Sequence, residues 1–152
     1  MLIIRPEQFA AFKAVAETAF VTRLAERVRE KHADVVIELP NGSSAVKQLP
    51  DDVLQAMVEQ GIARARGYGM SWESTLTAFV AIMFVAAPNF DEHPLIQRVL
   101  KDESAPPDSR IDQLWDRTSD QNWEAVERNY DPSAWGISAT PQKRGDAEMS
   151  GQ

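Results

Sequence analysis

The chain has 152 residues, with 23 acidic and 16 basic side chains and a formal net charge of −7. Its length suits one domain, and a hydrophobic content of 43% is typical of a soluble globular protein. The lack of cysteine excludes a disulfide scaffold, a thiol nucleophile and a cysteine-ligated metal centre. The negative charge argues against a general nucleic-acid binder, which normally needs a basic face.

No segment of the sequence has the pattern of a targeting or membrane-spanning element. The longest apolar stretch, residues 76–87, is 12 residues long, whereas a membrane span needs about 20. Residues 1–7 contain neither the basic region nor the long apolar core of a signal peptide. We therefore expect a cytoplasmic protein that does not enter a membrane.

The first predicted element is a long helix over residues 6–31, because Pro6 suits a first helical turn and apolar side chains recur every three or four positions. That stripe consists of Phe9, Phe12, Ala16, Phe20, Leu24 and Val28. Residues 35–47 contain a β-branched run followed by the turn signal Asn41-Gly42. They predict either a small β-hairpin or an ordered loop whose valines cover the core.

Two helices are expected next. One begins near Pro50 with an acidic first turn and stops at Gly67 and Gly69. The other begins after Ser71, a favoured N-cap residue, and ends before Pro88. This third helix is apolar on all sides, so it is predicted to be buried on all sides at the centre of the fold.

A short fourth helix is predicted over 94–101 with Asp91 as its cap, and a fifth over 109–129. The polar middle of the fifth helix, residues 118–122, predicts either a bend or a second half that leaves the core. Residues 139–152 have the composition of a disordered segment.

These elements predict an all-α, single-domain bundle of four to five helices around the third helix. Residues 1–131 form the helical domain in this interpretation. Residues 132–152 form a largely flexible C-terminal extension, and a hairpin near 35–47 is optional.

Motifs for catalysis or cofactor binding are weak. Asp91-Glu92-His93 clusters possible metal ligands, but no established metal-ligand spacing accompanies it. Gly67-Tyr68-Gly69 follows a helix and lacks the third glycine of a dinucleotide-binding loop. No nucleophile elbow of the Gly-x-Ser-x-Gly type is present. The sequence therefore predicts no enzyme, no catalytic residue, no cofactor and no metal.

Charge is unevenly distributed along the chain. Residues 88–131 carry 11 acidic and five basic side chains, whereas residues 1–31 carry four acidic and six basic ones. The acidic segment is either an ordinary solvated face or a docking surface that steers a basic protein partner. In the second case, Asp112, Asp116 and Asp120 are its candidate residues.

Aromatic side chains are concentrated towards the end of the chain. Trp115 is expected in the core, while Trp123 and Trp135 are harder to bury. These aromatics either pack the C-terminal segment against the domain or anchor a partner, since tryptophan and tyrosine are enriched at binding hot spots. The candidate partner-binding residues are therefore Asp112, Asp116, Asp120, Trp123, Tyr130 and Trp135.

Several short motifs, in this order and spacing, resemble a family of small all-helical proteins encoded in bacterial type VI secretion effector clusters. The motifs are Arg5-Pro6-Glu7-Gln8-Phe9 with Ala11-Phe12, Phe20 with Arg23, Gly61-Ile62-Ala63-Arg64-Ala65, Tyr68-Gly69-Met70, Phe79 with Met83-Phe84, and Pro88-Asn89-Phe90-Asp91 followed by Pro94. The resemblance covers residues 5–130. The stretch 35–48 is longer than the family pattern, and the tail after Tyr130 is an extension.

The resemblance implies a helical fold and a protein partner, and it implies no catalytic residues. The expected function is a non-enzymatic accessory factor, a co-chaperone or adaptor, that binds a type VI secretion effector or its adaptor. The alternative is an immunity protein that neutralises a toxin acting in the cytoplasm. The sequence leaves the oligomeric state open.

Overall fold

The computed structural model describes residues 5–137, which form six α-helices and a two-stranded antiparallel sheet. Within this range no helix is both long and apolar enough to cross a membrane. The predicted disorder of residues 139–152 lies outside the described residues. The elements are α1 (Pro6–Lys31), β1 (Val36–Leu39), β2 (Gly42–Ala45), α2 (Asp51–Gly67), α3 (Glu73–Val85), α4 (Pro94–Leu100), α5 (Arg110–Arg117) and α6 (Asp120–Arg128).

Of the two alternatives for residues 35–47, the hairpin is the one that forms. Val36 pairs with Ala45 and Leu39 with Gly42, so only two residues make the turn. Gly42 has φ +134°, a conformation that a side chain would strain. Successive strand residues alternate in direction, so Ile37 is buried in the core while Val36 is exposed.

Helix α1 has the predicted boundaries, but its predicted apolar stripe is only half buried. Side chains from the second half of α1, such as Phe20 and Leu24, are buried in the core. Residues 5–16 are exposed on every side of the helix, so the part of the predicted stripe that includes Phe9 and Phe12 does not reach the core. Within residues 5–137, no other element covers them.

Two arginines attach α1 to the rest of the molecule. Arg66 on α2 donates two hydrogen bonds of 2.9 Å to the Glu17 carboxylate. These bonds hold the pKa of Glu17 below its ordinary value. Arg29 donates to the carbonyl oxygens of Val46, Lys47 and Leu49. The second half of α1 is therefore held by polar as well as apolar contacts.

Most residues of helix α3 are buried, and the helix packs closely against α2. A Cβ atom at Gly61 of α2 would lie 2.6 Å from Sδ of Met83 and 2.9 Å from Cγ2 of Val80. Glycine is therefore required for this close approach. The expectation that α3 is buried on all sides is nevertheless wrong, because Ala81 is partly exposed on its outer face and Val85 is 60% exposed.

The predicted fifth helix is in fact two helices, α5 and α6. Thr118 has extended backbone geometry and ends α5. The Ser119 hydroxyl accepts a hydrogen bond from the Asn122 backbone N–H, and the side-chain Oδ1 of Asn122 accepts one from the Ser119 backbone N–H. This capping box starts a new helix. The polar middle of the predicted helix is thus a helix N-terminus.

Asp91 does not cap α4, contrary to the sequence interpretation. That role belongs to His93, whose Nδ1 accepts a hydrogen bond from the Leu95 N–H. Asp91 is 3% exposed and accepts hydrogen bonds from the Arg64 guanidinium and the Tyr68 hydroxyl. Burial, followed by the Asp91 charge, raises the pKa of Tyr68 to about 12.

Candidate protein-binding groove

An open groove lies where the C-terminal half of α3 meets α5 and α6. Its volume is about 480 Å³. We call it the tryptophan groove. Helix α3 supplies an apolar floor, and the junction between α5 and α6 supplies the aromatic wall and a polar edge. The lining residues are Ala81, Ile82, Val85, Ala86, Trp115, Thr118, Ser119, Asp120, Trp123 and Glu127.

Two stacked indole rings form the aromatic wall. The ring centroids of Trp115 and Trp123 are 5.6 Å apart, with an angle of 25° between the planes. Trp123 is braced from behind by the buried Phe90, at 6.3 Å, and its indole N–H donates to the Thr118 hydroxyl at 2.9 Å. Trp115 is the outer ring and is 58% exposed. A rigid, half-exposed tryptophan on a fixed base is a suitable anchor for a partner.

The break between α5 and α6 sets this geometry. In one continuous helix, residues 115 and 123 would be about 12 Å apart along the axis. The turn at Thr118 and Ser119 changes the chain direction, so the two rings can stack. The expectation that Trp115 is a core residue is wrong, because the buried face of α5 consists of Arg110, Ile111 and Leu114 and Trp115 lies outside it.

Both helices of the aromatic wall carry exposed carboxylates. Asp120 and Glu127 line the groove, and Asp112 and Asp116 are exposed on α5, on the two turns that also carry Trp115. We call these four residues the acidic rim. The ion pairs among residues 5–137 include none of the four. The rim therefore carries negative charge that no ion pair within residues 5–137 neutralises.

The cation of Arg117 does not neutralise the acidic rim. Arg117 on α5 donates to the Asp102 carboxylate at 2.8 Å. Hydrogen bonds from the Ser104 hydroxyl and N–H, and then from Arg117, lower the pKa of Asp102 to about 2. Asp102 thus stays ionised and neutralises Arg117.

Two other sequence candidates, Tyr130 and Trp135, do not line the groove. The Trp135 side chain is fully buried, and its ring centroid is 4.8 Å from that of Phe84. Its indole N–H donates to the Tyr130 hydroxyl and the Glu38 carbonyl, and the Tyr130 hydroxyl also bonds to the Glu38 backbone. These contacts attach the C-terminal segment to β1, which favours the packing alternative for both side chains.

The structure therefore divides the six sequence candidates. Trp123 and Asp120 line the groove, Asp112 and Asp116 are exposed on α5 outside its lining, and Tyr130 and Trp135 pack against β1. Sequence reasoning missed Trp115 as an exposed anchor and Val85 as part of the floor. The polar residues 118–119 were the available signal for the helix break that allows Trp115 and Trp123 to stack.

The groove contains aromatic and aliphatic surface with hydroxyls and carboxylates at its edge. Protein interfaces share this arrangement of an apolar centre with a polar rim. No cluster of three or more potential metal ligands occurs within residues 5–137. No family model, curated protein or solved structure matches this chain. The assignment of a function therefore depends on the geometry of the groove itself.

Proposed function

We propose that this protein is a non-enzymatic binding factor that holds a segment of a protein partner in the tryptophan groove. The observation that carries the proposal is the exposed Trp115, fixed by stacking on Trp123 above the apolar floor of α3. Tryptophan is the residue most enriched among binding hot spots, and a preorganised ring loses little entropy on binding.

The acidic rim supports a partner segment that is both apolar and basic. An amphipathic helix with lysine or arginine beside its apolar face would place apolar side chains on the groove floor and cations near Asp116 and Asp120. Such electrostatic complementarity mainly accelerates association and selects the partner. Because the rim carboxylates have no internal ion pairs, a basic partner would not need to break any.

In a biological setting, we propose that the partner is a type VI secretion effector or its adaptor, bound in the cytoplasm before loading. This part of the proposal is supported by the resemblance of residues 5–130 to proteins of such effector clusters. The chain would then act as an accessory factor of the co-chaperone or adaptor type.

An immunity protein is the second candidate, and the acidic rim is the observation that favours it. Many toxins that act on nucleic acids carry basic surfaces, and an acidic protein can occupy them. Such an inhibitor would bind one toxin at about nanomolar affinity or tighter and abolish its activity. An accessory factor would leave the effector active and affect its level or delivery.

The test is a quantitative pull-down from the native host, read by mass spectrometry, with the wild-type chain, Trp115→Glu and Val36→Glu. Val36 is 63% exposed and lies on the hairpin, so its variant is a matched control for a new surface charge. We expect a partner that binds to the wild type and to Val36→Glu and does not bind to Trp115→Glu. Equal recovery with all three chains would contradict it.

The nature of the recovered protein decides between the two candidates. An effector recovered together with its adaptor supports the accessory role. One toxin recovered alone, whose activity the purified chain abolishes, supports the immunity role.

A further inference from the structure

The first three turns of α1 are a second unpartnered apolar surface on the same molecule. Phe9, Phe12 and Val15 are 56%, 64% and 68% exposed, and every residue from 5 to 16 is exposed. We call residues 5–16 the projecting segment. A lone helix of this length is marginal in water, because most helical stability in proteins comes from packing an apolar face. A partner for this segment is therefore expected.

Residues 5–137 of the same molecule do not cover the projecting segment. Helix α1 is continuous over Pro6–Lys31, and its second half is fixed in the core through Val21 and Val28. The first half continues along the same axis and would have to break the helix to turn back. Within residues 5–137, no part of the same molecule can therefore cover it while α1 stays intact, and a second molecule can.

The tryptophan groove complements this segment in shape. The segment is a convex helix with Phe9 and Phe12 one turn apart, about 5 Å along its axis. The groove is concave, and its floor from Ala81 to Val85 extends about 6 Å along α3. Two aromatic side chains at this spacing suit a floor of that length beside the exposed Trp115.

Charge adds to the complementarity. The projecting segment carries Arg5 and Lys13 against the single acid Glu7, and no ion pair within residues 5–137 involves these three side chains. The four carboxylates of the acidic rim, two of which line the groove, likewise form no ion pair within residues 5–137. The convex surface is therefore basic and the concave surface acidic.

We infer that the projecting segment of one copy occupies the tryptophan groove of a second copy. In a reciprocal pair, the projecting segment of each copy lies in the tryptophan groove of the other. Both apolar surfaces of both molecules are then covered, and no further copy can be added. This inference rests on the groove being a protein-binding site, as the proposed function requires. It also implies that self-association regulates access to the groove, because a partner must displace α1 of the second copy before it reaches Trp115.

The test measures the mass of the full chain by sedimentation over roughly 1 to 300 µM, the range of weak specific association. The wild type and the control Val36→Glu should form dimers in this range. Phe12→Glu changes only the projecting segment, and Trp115→Glu changes only the tryptophan groove. Each variant alone should raise the dissociation constant at least about tenfold.

The decisive experiment mixes the two variants. Phe12→Glu retains an intact groove and Trp115→Glu retains an intact helix, so together they should form a 1:1 heterodimer through one remaining interface. A wild type that stays monomeric, or a mixture that forms no heterodimer, would overturn the inference. So would dimers that Phe12→Glu abolishes and Trp115→Glu leaves intact, because they indicate pairing of α1 with α1.

Folding and partner binding are read separately. Circular dichroism and thermal melting check each variant, and Phe12→Gln and Trp115→Gln replace any variant that is not folded. In the pull-down above, Phe12→Glu should recover the partner at least as well as the wild type, since its groove is free. If self-association fails while Trp115→Glu still loses the partner, only this inference is overturned and the proposed function stands.

Discussion

The indole rings of Trp115 and Trp123 stack at a centroid distance of 5.6 Å although they belong to two different helices. The inner ring is braced by Phe90, and the outer ring faces solvent. The same two side chains thus have separate roles. Trp123 supports the wall, and Trp115 is the exposed ring that we propose contacts a partner.

This division predicts different consequences of two alanine substitutions. Trp115→Ala should change the free energy of unfolding by less than about 1 kcal/mol, because the side chain is more than half exposed. Trp123→Ala should cost about 1–3 kcal/mol, since it removes a braced ring and a hydrogen bond to Thr118. Urea denaturation measures both values. A larger loss for Trp115→Ala than for Trp123→Ala would contradict this division.

The acidic rim should act on the rate of association more than on stability. Reversal of Asp112, Asp116 and Asp120 to lysine should slow association with the partner recovered from the host and flatten its salt dependence. Stopped-flow mixing at several ionic strengths measures both. Glu59→Lys, exposed on α2, should have little effect as a control. An unchanged rate and salt dependence after the triple reversal would remove the electrostatic part of the proposal.

Stability should fall at alkaline pH through Tyr68. Its folded-state pKa, about 12, exceeds the ordinary value of 10.0, so the proton is held more tightly in the folded state. This contribution is complete below pH 10 and is lost as the pH rises through about 12. Urea unfolding from about pH 8 to about pH 11.5 should show the decline, and Tyr68→Phe should reduce its slope. A slope that Tyr68→Phe leaves unchanged would contradict the assignment.

Trp135 should behave as a core residue. Trp135→Ala should lower the free energy of unfolding by about 3–5 kcal/mol, because the ring is fully buried beside Phe84 and its N–H is hydrogen-bonded. Chemical denaturation with the full chain measures the loss. A loss below about 1 kcal/mol would instead indicate that the side chain is free to anchor a partner.

The contact between α2 and α3 provides a matched pair of glycines. Gly61→Ala should cost about 1–3 kcal/mol, because the new methyl would overlap Met83 and Val80. Gly67→Ala, in the same helix, meets no atom within 4 Å and should be neutral or slightly stabilising. Thermal melts of the two variants test the close packing. Equal effects would show that α2 and α3 are less tightly packed than described.

Much of the helical pattern is predictable from the sequence because its signals are local. Pro6 and the basic last turn define α1, and Asn41-Gly42 with the preceding β-branched run indicates the hairpin that forms. Both patterns depend on neighbouring residues only. The all-helical prediction therefore holds with the addition of this small sheet.

The prediction errors occur where contacts between residues far apart in the sequence determine the local structure. Asp91 was expected to cap the next helix, but Arg64, 27 positions earlier, binds it in the interior. Ser71 was expected to cap α3, whereas the carboxylate of Asp108 accepts hydrogen bonds from the backbone N–H groups of Ser71 and Trp72. The sequence does not specify such partners before the fold is known.

The candidate site was predicted only in part for a related reason. Helical periodicity shows which residues share a face, but it does not show whether another element covers that face. Phe12 and Trp115 both fall on apolar stripes, yet both are exposed. The acidic composition of α5 and α6 was visible in the sequence, and its position beside an aromatic wall was not.

The most direct measurement of the central claim is photocrosslinking in the native host with a photoreactive phenylalanine analogue at position 115. The matched control carries the same group at position 36, which is equally exposed on the hairpin. The tryptophan groove predicts strong crosslinks to a protein partner from position 115 and few from position 36. The same products from both positions, or none from position 115, would contradict a docking role for the groove.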